Sequence, residues 1–466
     1  MTSAMIWILV AVVVYLLGML AIGFKYANNS TSEDFYLGGR KLGPIVTAMS
    51  TEASDMSAYL LMGVPGLAFF CGVAEAGWTA IGLALGTYLN WLIVAKRLRR
   101  YSAGINAITV PDFLARRFRD NTKLIETLGA LTVIIFFVPY TASGFAACGK
   151  LFNSLFGVDY MAAMVLSAVV IVGYTIMGGF RAVSTTDLIQ SVVMSMALIA
   201  VLVYGVNVAG GWDVVLDNAR SLSGYLTMAA SHNAADNTAT SYSLLDIAST
   251  LAWGLGYFGM PQVLLRFMGI RSEHELGRSR RVAIIWVVIS MAAAVFIGVV
   301  GRSVAGLDYL SNNDAENIFI DAATSYLPPI LAGFACAGVL AAAISSSDSY
   351  LLISASAVSQ NLYRGVFKKD ATEKQVMWCS RITLVIITIV AMAIAWNSNS
   401  TIFGITSFAW AGFGAAFGPL MLLSLFWKRT TYQGAIAGMV AGGAMVFFWK
   451  LIPEWLWERL NIRKDD

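Results

Sequence analysis

Residues 53–57 read Ala-Ser-Asp-Met-Ser, and residues 63–66 of the same apolar stretch read Gly-Val-Pro-Gly. An acidic side chain and helix breakers therefore interrupt a segment that is otherwise suited to crossing a membrane. A second interrupted stretch, residues 253–261, reads Trp-Gly-Leu-Gly-Tyr-Phe-Gly-Met-Pro. Backbone that leaves a helix inside a bilayer must be satisfied by protein or line a cavity, because lipid offers no hydrogen bonds. Such a pair, one in each half of the chain, predicts the binding site of a transporter.

A simpler alternative is that these glycines and prolines only kink or pack membrane helices, in which both residues are common. That alternative accounts for either stretch taken alone. It does not explain why Asp55 stands inside the first one.

The composition of the chain fixes its broad class. Of 466 residues, 58% are hydrophobic and 12% are charged, whereas soluble domains carry roughly 25% charged residues. We therefore predict an all-α polytopic membrane protein forming a single transmembrane domain over residues 1–466. About twelve stretches are long enough to cross roughly 30 Å of hydrocarbon as helices. They are Met5–Phe24, Val46–Cys71, Glu75–Ile93, Leu124–Leu151, Tyr160–Met177, Ala182–Val208, Leu244–Ile270, Val282–Ala305, Pro328–Tyr363, Val376–Trp396, Ile402–Trp427 and Gly434–Leu451.

Charge in the predicted loops orients the bundle. Basic residues concentrate between spans three and four, seven and eight, and nine and ten, whereas the long loop 210–242 carries only Arg220. Basic loops stay cytoplasmic, so we predict a multi-pass protein of the cell (inner) membrane with its N-terminus outside. The net charge of +4 reflects this bias and does not indicate nucleic-acid binding.

Catalytic machinery is not visible in the sequence. The four cysteines stand singly in apolar context, and His232 and His274 are isolated in predicted loops. No phosphate-binding loop, nucleophile elbow or zinc-protease motif is present. We therefore predict a protein that is not an enzyme and has no cofactor.

Polar residues inside the predicted spans point to an ion site. An Asp at the centre of a span costs about 2.5–3.5 kcal/mol, so Asp55, Asp187 and Asp348 should face a cavity or a partner. On a helix, Ala342, Ser345, Ser346 and Ser349 share one face. Hydroxyls on one stripe beside a broken helix with free carbonyls suit a hard cation, and few formal charges favour a monovalent one. The alternative is a small-residue stripe that only lets helices approach closely.

Several sequence blocks, in order along most of the chain, resemble the sodium/solute symporter family, and within it most closely the sodium/proline symporters. They are Leu-Gly-Gly-Arg at 37–40, Ala-Ser-Asp-Met-Ser at 53–57, Tyr-Thr-Ala-Ser-Gly at 140–144, Gly-Gly-Phe at 178–180 with Ala-Val-Ser at 182–184, Trp-Gly-Leu-Gly-Tyr-Phe-Gly at 253–259, and Ala-Trp-Ala-Gly-Phe-Gly-Ala-Ala-Phe-Gly-Pro at 409–419.

This resemblance implies a leucine-transporter-like fold of two inverted five-helix repeats with one extra N-terminal helix. The first repeat would span 46–208 and the second 244–427, with peripheral helices at 5–24 and 434–451. The resemblance also implies a Na⁺ site and a path for the ion. The sodium ligands would come from Ala53, Met56, Ala342, Ser345 and Ser346, and the path or coupling residues would be Asp55, Asp187, Asp348 and Ser349. A second sodium near the serine stripe stays open.

By the same resemblance, the substrate would be bound by Tyr59, Tyr140, Trp253, Tyr257 and Pro261. An apolar pocket with a few polar groups suits a small zwitterion such as proline. Tyr59 is a departure, because proline symporters that resemble this chain often carry Trp at this position. The aromatic residues have a simpler reading as packing or interface residues, and Glu52, one turn before Asp55, receives no role.

The predicted function is therefore sodium-coupled import of a small zwitterionic solute, L-proline above others, with Na⁺ as the coupling ion and the lipid bilayer as surroundings. Two alternatives remain: symport of another solute (another amino acid, a sugar, a carboxylate or a vitamin), or the membrane sensor portion of a signalling protein. The oligomeric state is not predicted.

Overall fold

The computed structural model describes residues 3–26, 31–305, 312–396 and 401–451, which are helical apart from loops and one β-hairpin. In the first half the helices are α1 (Ser3–Lys25), α2 (Ser32–Leu37), α3 (Pro44–Asp55), α4 (Val64–Cys71), α5 (Val73–Leu89), α6 (Ala95–Gly104), α7 (Val110–Arg117), α8 (Leu124–Phe156), α9 (Tyr160–Val208) and α10 (Trp212–Ser221). In the second half they are α11 (Leu244–Ala252), α12 (Pro261–Gly269), α13 (Leu276–Ala305), α14 (Asn312–Ala315), α15 (Ile318–Tyr326), α16 (Pro329–Ser356), α17 (Glu373–Ile394), α18 (Ile402–Phe426) and α19 (Tyr432–Leu451). The hairpin pairs β1 (Ala230–Asn233) with β2 (Thr238–Ser241).

Each predicted span coincides with helix in the structure. Within the described residues, nine helices are long and apolar enough to cross a membrane, or ten if the bent pair α3–α4 counts as one span. The prediction of twelve differs because it divides α9 in two and counts the interrupted segment 244–270 as a span. The exact number of spans stays a prediction.

The long helix α9 is really two helices joined at Gly179. Its 49 residues would extend about 73 Å at 1.5 Å per residue, more than twice the thickness of the hydrocarbon layer. Gly179 adopts φ 59° and ψ −164°, a conformation that a residue with a Cβ rarely adopts. The chain therefore turns there, between the stretches predicted as spans five and six.

Both interrupted stretches are broken in the structure, the first directly after Asp55 and not at the glycines and proline of residues 63–66, which are helical. α3 ends at Asp55, and the chain bends by 62° before α4, with Tyr59–Gly63 forming a π-helical turn. In the second stretch, Trp253–Phe258 is a 3₁₀ turn, and α12 begins at Pro261, whose fixed φ suits the first helical position. The resulting half-helices surround the middle of the bundle, where α16 packs against α8 and α9.

Glycines bring α5 and the second break into backbone contact. A Cβ on Gly86 would lie 2.1 Å from the carbonyl oxygen of Gly254, and a Cβ on Gly254 would lie 2.0 Å from that of Gly82. Because no side chain fits in these positions, the distance between α5 and the 3₁₀ turn is set by the two backbones alone.

A buried carboxylate anchors one end of α18. Glu316 accepts hydrogen bonds from the backbone N–H groups of Ile402 and Phe403, both at 3.1 Å, and pairs with Lys150 at 3.0 Å. A carboxylate at a helix N-terminus satisfies orphan donors and interacts favourably with the helix dipole. Glu316 thereby ties the segment after α14 to α8 and α18.

Candidate functional site

The unwound turn after α3 meets the serine stripe of α16. The Ser345 hydroxyl donates to the carbonyl oxygen of Ala53 at 2.8 Å and lies 3.3 Å from that of Ala342. Ser346 donates to the Ala342 carbonyl at 2.9 Å. Four of the five predicted sodium-binding residues therefore lie together. The fifth, Met56, has non-helical backbone angles (φ −77°, ψ 74°) at the break.

Helix termination supplies the oxygen atoms at this turn. Met56 still donates its N–H to the Glu52 carbonyl at 2.7 Å, but Ser57 turns back to the Asp55 carbonyl at 2.9 Å. The carbonyls of Ser54 and Asp55 are met by side chains, from Tyr350 at 3.1 Å and Tyr140 at 3.4 Å. Side chains thus replace the missing helical hydrogen bonds, as an unwound segment inside a membrane requires.

The Asp55 side chain faces the second break. Its Oδ2 accepts a hydrogen bond from the Tyr257 hydroxyl at 2.5 Å, while its buried Oδ1 has no partner among the described residues. The backbone of Tyr257 is held in turn by Asn90, whose side-chain amide donates to the Tyr257 carbonyl at 2.9 Å. Asp55 therefore joins the two breaks and keeps one oxygen available.

Aromatic rings enclose the space beside Asp55. Tyr59 stacks on Trp253 with ring centroids 6.1 Å apart, and Trp253 meets Phe403 edge-on at 4.9 Å. Trp410 packs edge-on against Tyr257 at 4.9 Å. These rings surround a region lined by apolar faces and a few hydroxyls.

The opposite wall of this enclosure is built from α8 and α16. Tyr140 stacks on Tyr350 with centroids 4.1 Å apart and accepts a hydrogen bond from the Trp410 indole at 3.0 Å. Tyr59, Tyr140, Tyr257 and Trp410 are at most 1% exposed, so a solute reaches this region only after the helices move.

The predicted substrate residues differ in what they offer to a ligand. The Tyr59 hydroxyl turns away, donating to the sulfur of Met56 at 3.0 Å. Pro261 is fully buried as the first residue of α12 and contributes the break itself. The Trp253 indole N–H is buried and has no partner among the described residues, which leaves one donor for a ligand.

Arg266, on α12, lies at the middle of a second cluster of buried polar side chains, which we call the inner polar centre. Its guanidinium donates to Asp187 at 2.9 Å, to Ser349 at 2.7 Å and to Ser50 at 2.8 Å, and Ser50 donates to the same carboxylate at 2.6 Å. Arg266 and Asp187 are at most 1% exposed. Buried charges persist only when paired and hydrogen-bonded, and this geometry meets that requirement. Arg266 also lies over the ring of Phe180.

Asp348 completes this centre from α16. Its carboxylate accepts hydrogen bonds from the hydroxyls of Tyr174 and Ser349. Among the described residues that make these contacts, Arg266 is the one basic side chain. It pairs with Asp187, and three further acids, Glu52, Asp55 and Asp348, are also buried. This excess of acidic groups suits a site that receives cations.

Glu52, to which the sequence analysis assigned no role, contacts Trp91. One of its oxygens accepts from the Trp91 indole at 3.1 Å, and the other has no partner among the described residues. Trp91 lies in a π-helical turn, Asn90–Val94, at the end of α5.

Sequence reasoning missed Arg266, Tyr350 and Asn90, and it assigned no role to Trp410. A signal existed for Arg266, because a basic residue inside a predicted span should have drawn the same attention as the acids. Trp410 lies in one of the recognised blocks. Tyr350 and Asn90 carry no local signal, because their partners lie far away along the chain.

Comparisons with known proteins agree with this architecture. Residues 35–442 match the family model described as the sodium:solute symporter family. The chain is 43% identical to the high-affinity proline transporter PutP of Bacillus subtilis (strain 168), over 92% of this chain and 89% of that protein. It is 39% identical to the sodium/proline symporter of Escherichia coli (strain K12), over 95% of this chain and 87% of that protein.

A solved structure shares the fold. A substrate-bound, outward-open Na⁺-coupled sialic acid symporter superposes with a TM-score of 0.75 over 95% of this chain and 98% of that one, at 18% identity. The predicted fold class is therefore confirmed: a polytopic, all-α membrane protein with a leucine-transporter-like architecture.

Proposed function

Because the chain belongs to the sodium:solute symporter family, we propose that it couples the inward movement of Na⁺ to the import of a small zwitterion, L-proline. Relatives named for proline transport, about two fifths identical over most of both chains, support this substrate. The contact that carries the proposal is the Ser345–Ala53 hydrogen bond of 2.8 Å, because it brings hydroxyl and carbonyl oxygens to an unwound turn. The sensor reading and other solutes are not favoured by these relatives.

The sodium ion binds between α3 and α16 in this proposal. Its ligands are the carbonyls of Ala53, Met56 and Ala342 and the hydroxyls of Ser345 and Ser346. A hard monovalent cation prefers such oxygen ligands, and the ion replaces the Ser345–Ala53 hydrogen bond.

The substrate binds beside the ion, against Tyr59, Tyr140, Trp253, Tyr257 and Pro261. The aromatic faces pack on the apolar ring of the solute, while hydroxyls and backbone at the breaks meet its charged ends. Tyr257 bonds to Asp55, and Asp55 follows the Ala53 carbonyl by two residues. Sodium binding and substrate binding therefore order the same turn, so each raises the affinity for the other by the same factor.

The inner polar centre is the path along which the ion leaves. Asp187, Asp348 and Ser349 offer oxygen atoms there, and Arg266 occupies the position next to them. An arriving cation competes with the guanidinium for Asp187, so the ion and Arg266 exchange places during release. A second ion bound here alongside the first is consistent with the excess of acids.

Transport follows from movement of two inverted repeats, 46–208 and 244–427, around the shared site. The N-terminus faces outside the inner membrane and the basic loops face the cytoplasm. Inward movement of one sodium through 100 mV releases about 2.3 kcal/mol, enough for roughly fiftyfold accumulation of the solute.

Uptake of radiolabelled proline into proteoliposomes, with and without an inward sodium gradient, tests the proposal. We expect accumulation only with the gradient, and we expect Asp55→Asn to abolish it while the protein still inserts. Uptake by Asp55→Asn with an unchanged sodium requirement would contradict the ion site. Accumulation of a different solute, but not proline, would contradict the substrate.

A further inference from the structure

A polar cavity lies away from the proposed transport site, where the segment between α6 and α8 meets the π-helical segment Ala357–Phe367, which continues α16 as the end of the α16 helix. Its volume is about 360 Å³, and it is lined by Asn106, Ile108, Asp112, Arg116, Lys123, Glu126, Gln360, Asn361, Arg364 and Gly365. Gln360 follows Ser346 by 14 residues, which corresponds to about 21 Å along a helix. In the proposed orientation the cavity faces the cytoplasm.

The walls of the cavity are fixed by buried hydrogen bonds. Asn361 donates to Thr109 at 3.0 Å and to Glu126 at 3.2 Å, which ties the end of the α16 helix to α7 and α8. Residues 357–367 form a π-helical segment, a distortion that often marks functional sites. Lys123 has φ 64°, a strained conformation for a residue other than glycine that is common at ligand sites.

Hydrogen-bond donors are left over on this lining. The side-chain nitrogen of Gln360 is buried and has no partner among the described residues, and Gln360 is only 8% exposed. Arg116, Lys123 and Arg364 each form an ion pair, with Asp112, Glu126 and Glu373 respectively. These pairs occupy only part of the donor capacity of each cation.

The basic side chains of the lining add further donors. Three basic groups and two acidic groups line the cavity, and Glu373 beside it balances Arg364, so an anion would be held by the N–H groups that the ion pairs leave free. Leaving a buried amide donor unpaired costs about 1–3 kcal/mol. An acceptor-rich anion would satisfy that donor together with the free N–H groups of the three basic side chains.

We propose that this cavity binds a small phosphate-bearing anion, either free phosphate or the phosphomonoester headgroup of a lipid. Phosphate offers several acceptor oxygens to arginine, lysine and amide donors at once. The volume lies near the lower end of the range for small-molecule sites, which fits one phosphate group with a short substituent. The cavity is separate from the ion and substrate sites.

Occupancy of this site controls the transport rate. The anion bridges α7 and the start of α8 to the π-helical end of the α16 helix. α16 carries the proposed sodium ligands Ser345 and Ser346, and α8 carries Tyr140. Holding these elements together changes how readily the helices rearrange. This consequence rests on the proposed function, whereas binding itself does not.

Binding is tested first, on the full-length protein in phosphatidylcholine nanodiscs. The apparent melting temperature is followed while inorganic phosphate is added at constant ionic strength. A second arm uses nanodiscs that contain phosphatidic acid, without free phosphate. We expect one of the two to raise the melting temperature of the wild type in a saturable way, and which one does so identifies the source of the anion.

Three variants separate the cavity from general charge effects. Gln360→Met keeps the buried volume but removes the amide donor, and Lys123→Gln removes a cation at a partly exposed position. Both should raise the half-saturating concentration of the anion about tenfold, as expected for the loss of one hydrogen bond to a charged group. Lys369→Gln, at an exposed position in the same region, should behave as the wild type.

The outcomes are distinguishable. The proposal is overturned if neither phosphate nor phosphatidic acid stabilises the wild type, or if all three variants respond alike. Sodium-driven proline uptake is measured separately on the same preparations, so a failure of the transport assignment does not mimic a failure of anion binding. A wild-type uptake rate that changes with the identified anion, and a Gln360→Met rate that does not, would establish the control of transport.

Discussion

The ion pair between Arg266 and Asp187 offers a quantitative test of how the inner polar centre is held together. The two groups are 2.9 Å apart and at most 1% exposed, so neither has bulk water to replace its partner. Arg266→Gln leaves the Asp187 carboxylate with Ser50 alone. Removing one partner of a buried pair destabilises a protein by about 3–5 kcal/mol, and Asp187→Asn should cost a similar amount.

The double variant Arg266→Gln/Asp187→Asn distinguishes a charge effect from general disruption. Both charges are then absent, and the two amides are able to hydrogen-bond to each other and to Ser50. We therefore expect the double variant to lose less stability than the two single losses added together, by a coupling energy of about 2–3 kcal/mol, the upper end of the range for contacting residues. Its melting temperature should lie above the value expected if the two single losses simply added.

The assay is thermal unfolding of purified protein, followed by loss of the monodisperse peak in size-exclusion chromatography, with sodium varied at constant ionic strength. In the single variant Arg266→Gln, added sodium should restore stability, because a cation can then neutralise Asp187. The reasoning is refuted if the single losses simply add in the double variant. It is also refuted if Arg266→Gln shows no greater stabilisation by sodium than the wild type.

Three further outcomes follow from other contacts. Ser345→Ala removes one oxygen from the proposed ion site and should raise the sodium concentration for half-maximal uptake about tenfold. The control is Ser347→Ala, because the Ser347 hydroxyl has no partner among the described residues. Equal shifts of this sodium concentration in the two variants would contradict the placement of Ser345 in the ion site. Glu316→Gln weakens the anchor at the N-terminus of α18 by about 1–2 kcal/mol. It should therefore raise the rate at which a thiol reagent labels a cysteine placed at Phe403. An unchanged labelling rate would mean that this anchor does not limit the movement of α18. Burial lowers the pKa of His232, which lies in strand β1, below 6.5, so protonation opposes folding. The stability contributed by the neutral ring is full above about pH 6.5 and is lost as the pH falls below it. The stability difference between wild type and His232→Gln should therefore fall below pH 6.5, and a constant difference from pH 8 to pH 5 would contradict this.

Local signals in the sequence predicted the backbone of the site well. The break before Pro261 and the turn at Gly179 occur at the proline and the glycine themselves, whereas the break after Asp55 has neither residue type beside it and residues 63–66 continue as helix. Glycine and proline restrict or free the backbone at their own position. Such features can be predicted from the sequence without knowledge of the rest of the fold.

Side-chain partners were much less predictable. Tyr350 donates to the Ser54 carbonyl across 296 positions of sequence, and Arg266 reaches Asp187 across 79. Neither pairing leaves a periodic pattern, because it depends on how the helices pack. The hairpin β1–β2 was missed for a related reason: β2 is exposed at every position, so it lacks the alternation by which half-buried strands are recognised.

The glycine contacts between α5 and the second break limit how transport specificity can be redesigned. Since Gly82, Gly86 and Gly254 leave no side chain to shorten, this wall of the enclosure cannot be moved back by substitution. Room for a bulkier solute has to be created on the other sides, where Tyr59, Tyr140 and Tyr350 can be trimmed. A library aimed at new cargo should therefore vary these tyrosines and leave the glycines unchanged.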